Sequence, residues 1–138
     1  MNDGPILIVN DDLDDQEFFK EAWKELEFTN QLVFLTNAKD VINYLKQDKS
    51  IPFLIISDLY LQDMSGFELK KKLLADSSIN YKTIPFVFFS DSASNAQIEK
   101  SYDLGSAGFF IKGKNIKEIK NTLADIIKYW QKSITPQG

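Results

Sequence analysis

The sequence contains no cysteine and no histidine. The lack of cysteine excludes disulfide bridges and thiolate metal sites. The lack of histidine excludes catalytic triads, zinc–histidine sites and phosphorylation of a histidine on this chain. Any binding or catalytic chemistry therefore rests with carboxylates, hydroxyl groups and lysines.

The sequence also lacks the features of a membrane protein or a nucleic-acid-binding protein. No apolar run approaches the roughly 20 residues of a transmembrane helix, and residues 1–5 do not resemble a signal peptide. The net charge of −4 does not favour contact with a nucleic acid backbone, and the basic run Lys70–Lys72 is interpreted as a solvated helix face. We expect a cytoplasmic protein without direct membrane or nucleic-acid contacts.

The length of 138 residues suits one domain with a real hydrophobic core. Apolar residues make up 43% of the chain and charged residues 26%, which is a globular and not a disordered composition. We predict a single domain over residues 1–138, with no fused output domain.

Apolar runs and helical spacings alternate along the chain. Helices are predicted around residues 18–26, 41–45, 67–74, 98–104 and 116–130, and strands at 6–9, 31–35, 53–56, 86–89 and 109–111. A capping side chain with an acid or amide three residues later marks four helix starts, at Asp14, Ser65, Ser94 and Asn115. The alternation predicts a parallel sheet with helices on both faces.

A polar residue follows four of the predicted strands, and these residues are Asp11, Asp58, Ser90 and Lys112. The carboxyl ends of parallel strands share one edge, where ligands bind in open α/β sheets. Converging carboxylates repel one another by about 4 kcal/mol per pair at an effective dielectric of 20, and a Mg²⁺ ion would remove that penalty. A carboxylate beside Mg²⁺ and a lysine can attack phosphorus and form an acyl phosphate.

Each of these residues also has an ordinary interpretation. Asp11 is then a solvated loop acid, Asp58 a turn residue, Ser90 a helix cap and Lys112 a surface lysine. The functional interpretation is favoured because acid, acid, hydroxyl and lysine occur in that order at four separate strand ends.

Together these motifs resemble the receiver domain of bacterial two-component response regulators, over nearly the whole chain. Residues 6–12 resemble the family's first strand and acidic cluster, and residues 58–66 its phosphoacceptor loop. Ser90 is similar to the switch hydroxyl, and residues 110–112 to the switch aromatic and lysine. The acidic stretch at 11–15 further resembles stand-alone regulators that partner phytochrome-type kinases.

The resemblance implies a flavodoxin-like, doubly wound sheet of five parallel strands with five helices, in the order 2-1-3-4-5. It implies that Asp58 accepts a phosphoryl group from a sensor histidine kinase or a histidine phosphotransfer protein. Asp11, Asp58 and the backbone carbonyl of Tyr60 would bind Mg²⁺, with Asp12 and Asn10 as further candidate ligands. Apart from phosphorylation and dephosphorylation of Asp58 itself, no enzymatic activity is implied.

The resemblance also implies a switch. Lys112 and Ser90 would contact the phosphoryl group while Phe110 moves inward, which reshapes the surface near the last two helices. That surface would bind a downstream target or form a homodimer. Three residues flank the phosphoryl site and would modulate it, namely Tyr60, Asp91 and Ser92.

Four positions depart from the family pattern. Asn10 stands where an acid is usual, Asp91 where a small residue is usual, and Gln62 where proline is common. Gly113 replaces a proline that usually follows the lysine in a cis bond. A non-proline cis bond costs about 2.5–4 kcal/mol, so we expect a trans bond or a flexible loop.

Two alternative functions remain open. The first is a degenerate receiver that binds partners without phosphorylation, which Asn10, Asp91 and Gly113 favour. The second is a Mg²⁺-dependent phosphatase of the haloacid dehalogenase type. That family has its second acid two residues after the nucleophile, and this chain has Tyr60 at that position, which argues against the phosphatase.

Overall fold

The computed structural model describes residues 3–47, 51–79, 81 and 83–134. Within these residues, five strands and five helices alternate. The elements are β1 (Ile6–Val9), α1 (Leu13–Lys24), β2 (Leu32–Leu35), α2 (Ala38–Lys46), β3 (Leu54–Ser57), α3 (Gly66–Ala75), β4 (Phe86–Ser90), α4 (Asn95–Asp103), β5 (Gly108–Ile111) and α5 (Ile116–Lys132). None of the described helices is both long enough and apolar enough to span a membrane.

All five strands pair in parallel, in the order β2-β1-β3-β4-β5. This confirms the predicted sheet and its order. The chain turns from one direction across the sheet to the other between β1 and β3, and the crevice at the carboxyl ends of these two strands is the usual ligand site of such folds. Asp11 and Asp58 follow these two strands.

Helices cover both faces of the sheet, because side chains of each central strand alternate between the two faces and are buried on both. Ile6 and Ile8 point to a core shared with α1 and α5, whereas Leu7 and Val9 point to a core shared with α2 and α3. The three central strands are buried throughout. Strands buried on both faces are apolar almost throughout, which is the pattern seen in the sequence, and only the last residues of β3 and β4 are serines.

Helix α1 begins earlier than predicted. Asp14 was the expected cap, but Asp12 has the extended backbone that an N-cap requires, and its carboxylate accepts hydrogen bonds from the backbone N–H groups of Asp14 and Asp15. Asp14 already lies inside the first helical turn. The other three predicted caps are confirmed, at Ser65, Ser94 and Asn115.

The expectation of a solvated basic face on α3 is wrong for one of its three lysines. Lys71 and Lys72 are exposed, but Lys70 is only 3% exposed. Phe67 and Leu73 lie three residues to either side of Lys70, and both are buried. Residues at this spacing share one helix face, so the phase of the helix carries Lys70 into the interior.

A carboxylate in the loop after β3 caps a helix that lies elsewhere in the chain. The two side-chain oxygens of Asp63 accept hydrogen bonds from the backbone N–H groups of Ala38, at 2.9 Å, and Lys39, at 3.1 Å. Desolvation is the largest single influence on Asp63 and opposes its ionisation, but the backbone hydrogen bonds together outweigh it and lower the pKa of its carboxyl group. Asp63 thus ties the loop that carries Asp58 to the start of α2.

We expect the Asp63→Asn variant to lose about 1 kcal/mol of unfolding free energy at neutral pH, since exposed caps contribute modestly. The pKa of Asp63 is lowered on folding, so its contribution is complete above the unfolded-state pKa of about 3.9. It disappears as the pH falls through the lower folded-state pKa. Urea unfolding of both proteins at decreasing pH should show the difference shrinking, with exposed Asp125→Asn as the control. A difference that stays constant with pH would rule out the carboxylate as its source.

Candidate functional site

Asp58 lies at the carboxyl end of β3, where the buried strand reaches the surface. Its backbone N–H donates to the carbonyl of Val9 at 2.9 Å. One carboxylate oxygen accepts from the backbone N–H of Leu59 at 2.7 Å, and the other accepts from Nζ of Lys112 at 2.9 Å. The side chain is 17% exposed. The carboxylate is therefore held in one orientation but remains accessible from outside.

Lys112 is the cation at the centre of the site. Its side chain is 2% exposed, and Nζ lies 2.6 Å from Oδ2 of Asp15 as well as 2.9 Å from Oδ2 of Asp58. Burial alone would lower the pKa of this lysine, but the two carboxylates outweigh it and raise the pKa. Lys112 is therefore a permanent positive charge between two acids. Its backbone N–H also donates to the carbonyl of Ser90, which joins the ends of β4 and β5.

Asp15 is the site residue that the sequence pattern did not single out. It was one of several acids in the stretch 11–15, with no role assigned to it. Asp15 lies in the first turn of α1, and Phe19 and Ala22, four and seven residues later, are buried against the sheet. This spacing places Asp15 at the head of the buried stripe, where its side chain reaches the strand ends. Asp15 could have been found from the sequence by taking Asp12 as the N-cap and extending the buried stripe back to the first turn of α1.

Asn10 occupies the position where the family usually has an acid, and its surroundings account for the amide. Its side chain donates to Oδ2 of Asp15 at 3.1 Å and accepts from the backbone N–H of Asp12 at 2.8 Å. Asn10 is 2% exposed. A carboxylate here would face the carboxylate of Asp15 in a buried position. At the end of β1 this chain therefore has an amide, which holds a carboxylate of α1.

Asp11 and Tyr60 lie in the loops that follow β1 and β3. The half-buried carboxylate of Asp11 makes no hydrogen bond or ion pair with any residue that the structure describes. Tyr60 is 64% exposed, and its hydroxyl accepts a hydrogen bond from Nε2 of Gln97 at 2.9 Å. The phenol ring therefore connects the loop after Asp58 with the first turn of α4.

Ser90 ends β4, and Asp91 and Ser92 follow it in the loop beside Lys112. The Ser90 hydroxyl is buried and donates to the carbonyl of Ser92 at 3.0 Å, within its own loop. Asp91 and Ser92 are exposed. Burial raises the pKa of Asp58 by more than Lys112 lowers it, and the negative charge of Asp91 adds a smaller rise.

Phe110 is half-buried against the core formed with α1 and α5. A Cβ on Gly108 would lie 2.8 Å from the Phe110 ring, so the ring occupies space that only glycine leaves free. The Phe110 ring thus packs over Gly108 and against that core.

The turn after Lys112 requires a glycine. The bond to Gly113 is trans, as expected, because the described residues contain no cis peptide. Gly113 has φ of 90°, and a Cβ on it would lie 2.5 Å from side-chain atoms of Glu118. This backbone conformation is costly for residues other than glycine. The left-handed turn thus takes the place of the usual proline.

The site offers a metal only oxygen ligands. Within the described parts of the chain, no three acidic side chains converge closely enough to form a metal site by themselves. Asp11 and Asp58 follow the neighbouring strands β1 and β3, and Tyr60 lies two residues after Asp58. Two carboxylates, a carbonyl and several waters are a typical set for Mg²⁺. Asp12 is already engaged as the cap of α1, and the Asn10 amide is engaged by Asp12 and Asp15.

Comparison with known proteins agrees with this geometry. The family model of the response regulator receiver domain matches residues 6–124. The chain belongs to this family. It is a receiver domain of two-component signalling, in which Asp58, Lys112 and Ser90 lie at the edge of the sheet where the resemblance predicted a site.

Individual relatives are distant in sequence but close in length and fold. The probable methanogenesis regulatory protein FilR2 of Methanothrix harundinacea is 25% identical over 129 residues, which are 91% of this chain and 82% of that protein. The phosphorylated cyanobacterial phytochrome response regulator RcpA has a TM-score of 0.84 and 26% identity, covering 96% of this chain and 97% of that one. The Mn²⁺-bound form of response regulator Rcp1 has a TM-score of 0.79 and 24% identity, covering 94% and 96%.

The structure brings some of the predicted site residues together and leaves others apart. Lys112 contacts Asp58 directly, and Ser90 is joined to Lys112 through the backbone. Asp11 follows the neighbouring strand, β1. Asp12 is directed into the helix cap and Phe110 into the core. The roles assigned to these residues stay predictions at this point.

Proposed function

We propose that this receiver accepts a phosphoryl group on Asp58 from a phosphohistidine of a sensor kinase or phosphotransfer protein. The observation that carries the proposal is the buried Lys112 ammonium, which contacts the accessible Asp58 carboxylate at 2.9 Å. In the transfer, the P–N bond of the phosphohistidine breaks and a P–O bond forms to an Asp58 oxygen. The imidazole leaves with its electron pair.

Charge compensation is the main task of the site in this reaction. A phosphoryl group adds about −1.5 to −2 charges, and catalysis of its transfer is mostly positioning and electrostatic stabilisation. Lys112 lies where that charge arrives, and Asp15 and Asn10 hold Lys112 and its surroundings in place. Lys112 is a phosphoryl-binding residue in this account, whereas Asp15 is a positioning residue.

The same site suits a divalent cation. Asp11, Asp58 and the carbonyl of Tyr60 are the proposed Mg²⁺ ligands, and the unengaged carboxylate of Asp11 supports this assignment. All of these donors are oxygens, which Mg²⁺ prefers, and a solved structure of Rcp1 contains Mn²⁺. When bound, Mg²⁺ supplies positive charge against the phosphoryl oxygens. Asp12 and Asn10 are weaker candidates, since both are engaged elsewhere.

A switch follows from the present hydrogen bond of Ser90. Its hydroxyl now donates to Ser92, and we propose that it rotates to donate to a phosphoryl oxygen once Asp58 is modified. The loop that carries Asp91 and Ser92 then loses its tie to Ser90, and Phe110 moves inward. Contacts that differ between two conformations in this way are worth about 1–3 kcal/mol, which is enough to shift the equilibrium between two conformations of the surface.

The proposed output surface is formed by α4, β5 and α5. Large exposed side chains lie on all three elements: Tyr102 is 56% exposed, Ile111 49% and Tyr129 64%. Tyr60 is joined to α4 through Gln97, so a change beside Asp58 reaches this surface directly. A downstream target protein or a second copy of the chain would bind there.

One experiment tests phosphorylation and separates the alternatives. The protein is incubated with Mg²⁺ and a small phosphodonor such as acetyl phosphate, and its intact mass is followed. We expect one phosphoryl adduct that does not form when EDTA is present from the start and that is absent in Asp58→Asn. No adduct in the wild type would favour a degenerate receiver, and rapid hydrolysis of many phosphoesters would favour a phosphatase.

The Asn10→Asp variant tests whether Asn10 and Asp15 act as a pair. It removes a hydrogen bond to a charged group, worth about 1.5–3 kcal/mol, and places two carboxylates in contact. We expect a loss of unfolding free energy of at least that size without divalent cations, and partial recovery with Mg²⁺. Urea unfolding with and without Mg²⁺ measures both.

A matched control exists at the N-cap of α2, where the amide of Asn37 donates to the exposed Asp40 at 3.1 Å. Aspartate caps a helix about as well as asparagine. The Asn37→Asp variant should change stability little, and Mg²⁺ should not alter the change. Equal losses in the two variants, or no response of Asn10→Asp to Mg²⁺, would contradict the paired role of Asn10 and Asp15.

A further inference from the structure

A buried lysine lies far from the phosphorylation site. Lys70 on α3 is 3% exposed, and its Nζ donates to the hydroxyl of Tyr81 at 2.6 Å. The same atom lies 5.0 Å from the ring centre of Tyr81 and 5.1 Å from that of Phe86. Among the described residues, no carboxylate forms an ion pair with Lys70. Within the part of the chain that the structure describes, Lys70 is therefore a buried cation without a counter-charge.

The ammonium group of Lys70 has one hydrogen-bond partner among the described residues. It carries three donors, and one of them is used by Tyr81. Burial lowers the pKa of Lys70 to about 8 and raises that of Tyr81 to about 12. At neutral pH the lysine therefore remains mostly protonated and the tyrosine neutral. Buried charges are normally paired, so this one favours an anion from outside the described chain.

Lys70 lines a cavity that gives such an anion access. The cavity has a volume of about 440 Å³, within the range of small-molecule sites. It lies at the end of the sheet opposite Asp58, since Phe86 begins β4 and Ser90 ends it. Its walls are mostly apolar, and they include Leu74, Ile84, Phe86, Leu104, Trp130 and Ile134.

We propose that this cavity binds a monocarboxylate with an apolar body, whose carboxylate pairs with Lys70 and whose apolar part lies against Ile84 and Trp130. One lysine and one tyrosine hydroxyl match a single negative charge. A phosphate would bring a second charge and more acceptors than these two groups serve. The mostly apolar walls favour an anion with an apolar body over a small, fully hydrated one, because few polar groups besides Lys70, Tyr81 and Thr83 line the cavity to replace lost water.

This site is independent of the proposed phosphorylation. It shares no residue with the crevice that contains Asp58 and Lys112. Its walls do include Trp130 near the end of α5 and Gly105 between α4 and β5. A bound carboxylate would therefore lie against α5 and the loop between α4 and β5, which adjoin the proposed output surface.

The test uses octanoate as the probe, with octanol as a neutral analogue and acetate as an anion without an apolar body. Binding is measured by calorimetry, and its location by NMR shifts of the lysine side chains. We expect octanoate to bind the wild-type protein and to shift the Lys70 signals, while octanol and acetate bind much more weakly. Asp58→Asn should bind octanoate like the wild type.

Two lysine variants complete the test. Lys70→Met keeps the length of the side chain and should fold well, because an apolar residue in place of a buried charge is often neutral or stabilising. We expect it to bind octanoate about tenfold more weakly or worse, as for the loss of a charged hydrogen bond. The adjacent, exposed Lys71→Met should bind like the wild type. No octanoate binding to the wild type, or equal binding by the two variants, would overturn the proposal.

Discussion

Replacing Lys112 with methionine is expected to slow phosphorylation of Asp58 by on the order of 10²-fold, the cost of removing one well-placed charge donor from a reacting group. Nζ of Lys112 contacts Asp58 and Asp15 at 2.9 Å and 2.6 Å, and the side chain is 2% exposed. Water cannot take the place of a cation held this deeply. The rate of adduct formation with a small phosphodonor, followed by intact mass, measures the effect.

The same variant should lose stability, because two acids are left facing each other without their cation. Breaking a buried ion pair by removing one partner costs about 3–5 kcal/mol. Adding Asp15→Asn to Lys112→Met removes one of the stranded charges. We expect this double variant to regain part of the unfolding free energy while phosphorylation stays slow.

This separation of stability from rate distinguishes a phosphoryl-binding role of Lys112 from a structural role. Lys117→Met, on the exposed surface of α5, is the control and should resemble the wild type in both measurements. Two results would show that Lys112 only supports the fold. One is phosphorylation of Lys112→Met at the wild-type rate, and the other is recovery of both rate and stability in the double variant.

The second large effect is expected in the core. We predict that Phe88→Ala lowers the unfolding free energy by about 3–5 kcal/mol, a large share of the roughly 5–15 kcal/mol of a typical domain. The Phe88 side chain is fully buried in β4, and its ring packs against Phe67 and Phe86 with centroids 5.2 Å away and against Phe109 at 6.0 Å. Truncation leaves a cavity that three other rings cannot fill.

Urea unfolding of Phe88→Ala beside Phe18→Ala provides the comparison. Phe18 is 40% exposed on α1, and its truncation should cost less than about 1 kcal/mol. A similar loss in both variants would mean that the ring cluster around Phe88 is not the centre of this core.

The sheet was predictable from the sequence because its central strands are buried on both faces. Residues 6–9 and 53–56 are apolar throughout, and such runs are characteristic of parallel strands. The strand ends then located Asp58 and Lys112, since polar residues follow each run. Local spacing predicted the helix starts less well, because Asp12 and Asp14 are both plausible N-caps of α1.

The contacts that were not predicted join distant parts of the chain. Asp15 and Lys112 are 97 residues apart, and their meeting depends on where α1 begins and on the rotation of that helix over the sheet. Asp63 reaches the start of α2 in the same way. Lys70 was assigned to the surface from its charge, although the spacing of Phe67 and Leu73 already placed it on the buried face.

The most direct measurement of the central claim is the position of the phosphoryl group. After reaction with Mg²⁺ and acetyl phosphate, reduction with borohydride converts an aspartyl phosphate into homoserine, which peptide mass spectrometry locates in the sequence. We predict homoserine at position 58 and at no other aspartate. Homoserine at Asp11, Asp15 or Asp91 in place of Asp58 would contradict the assignment of Asp58 as the phosphoryl acceptor.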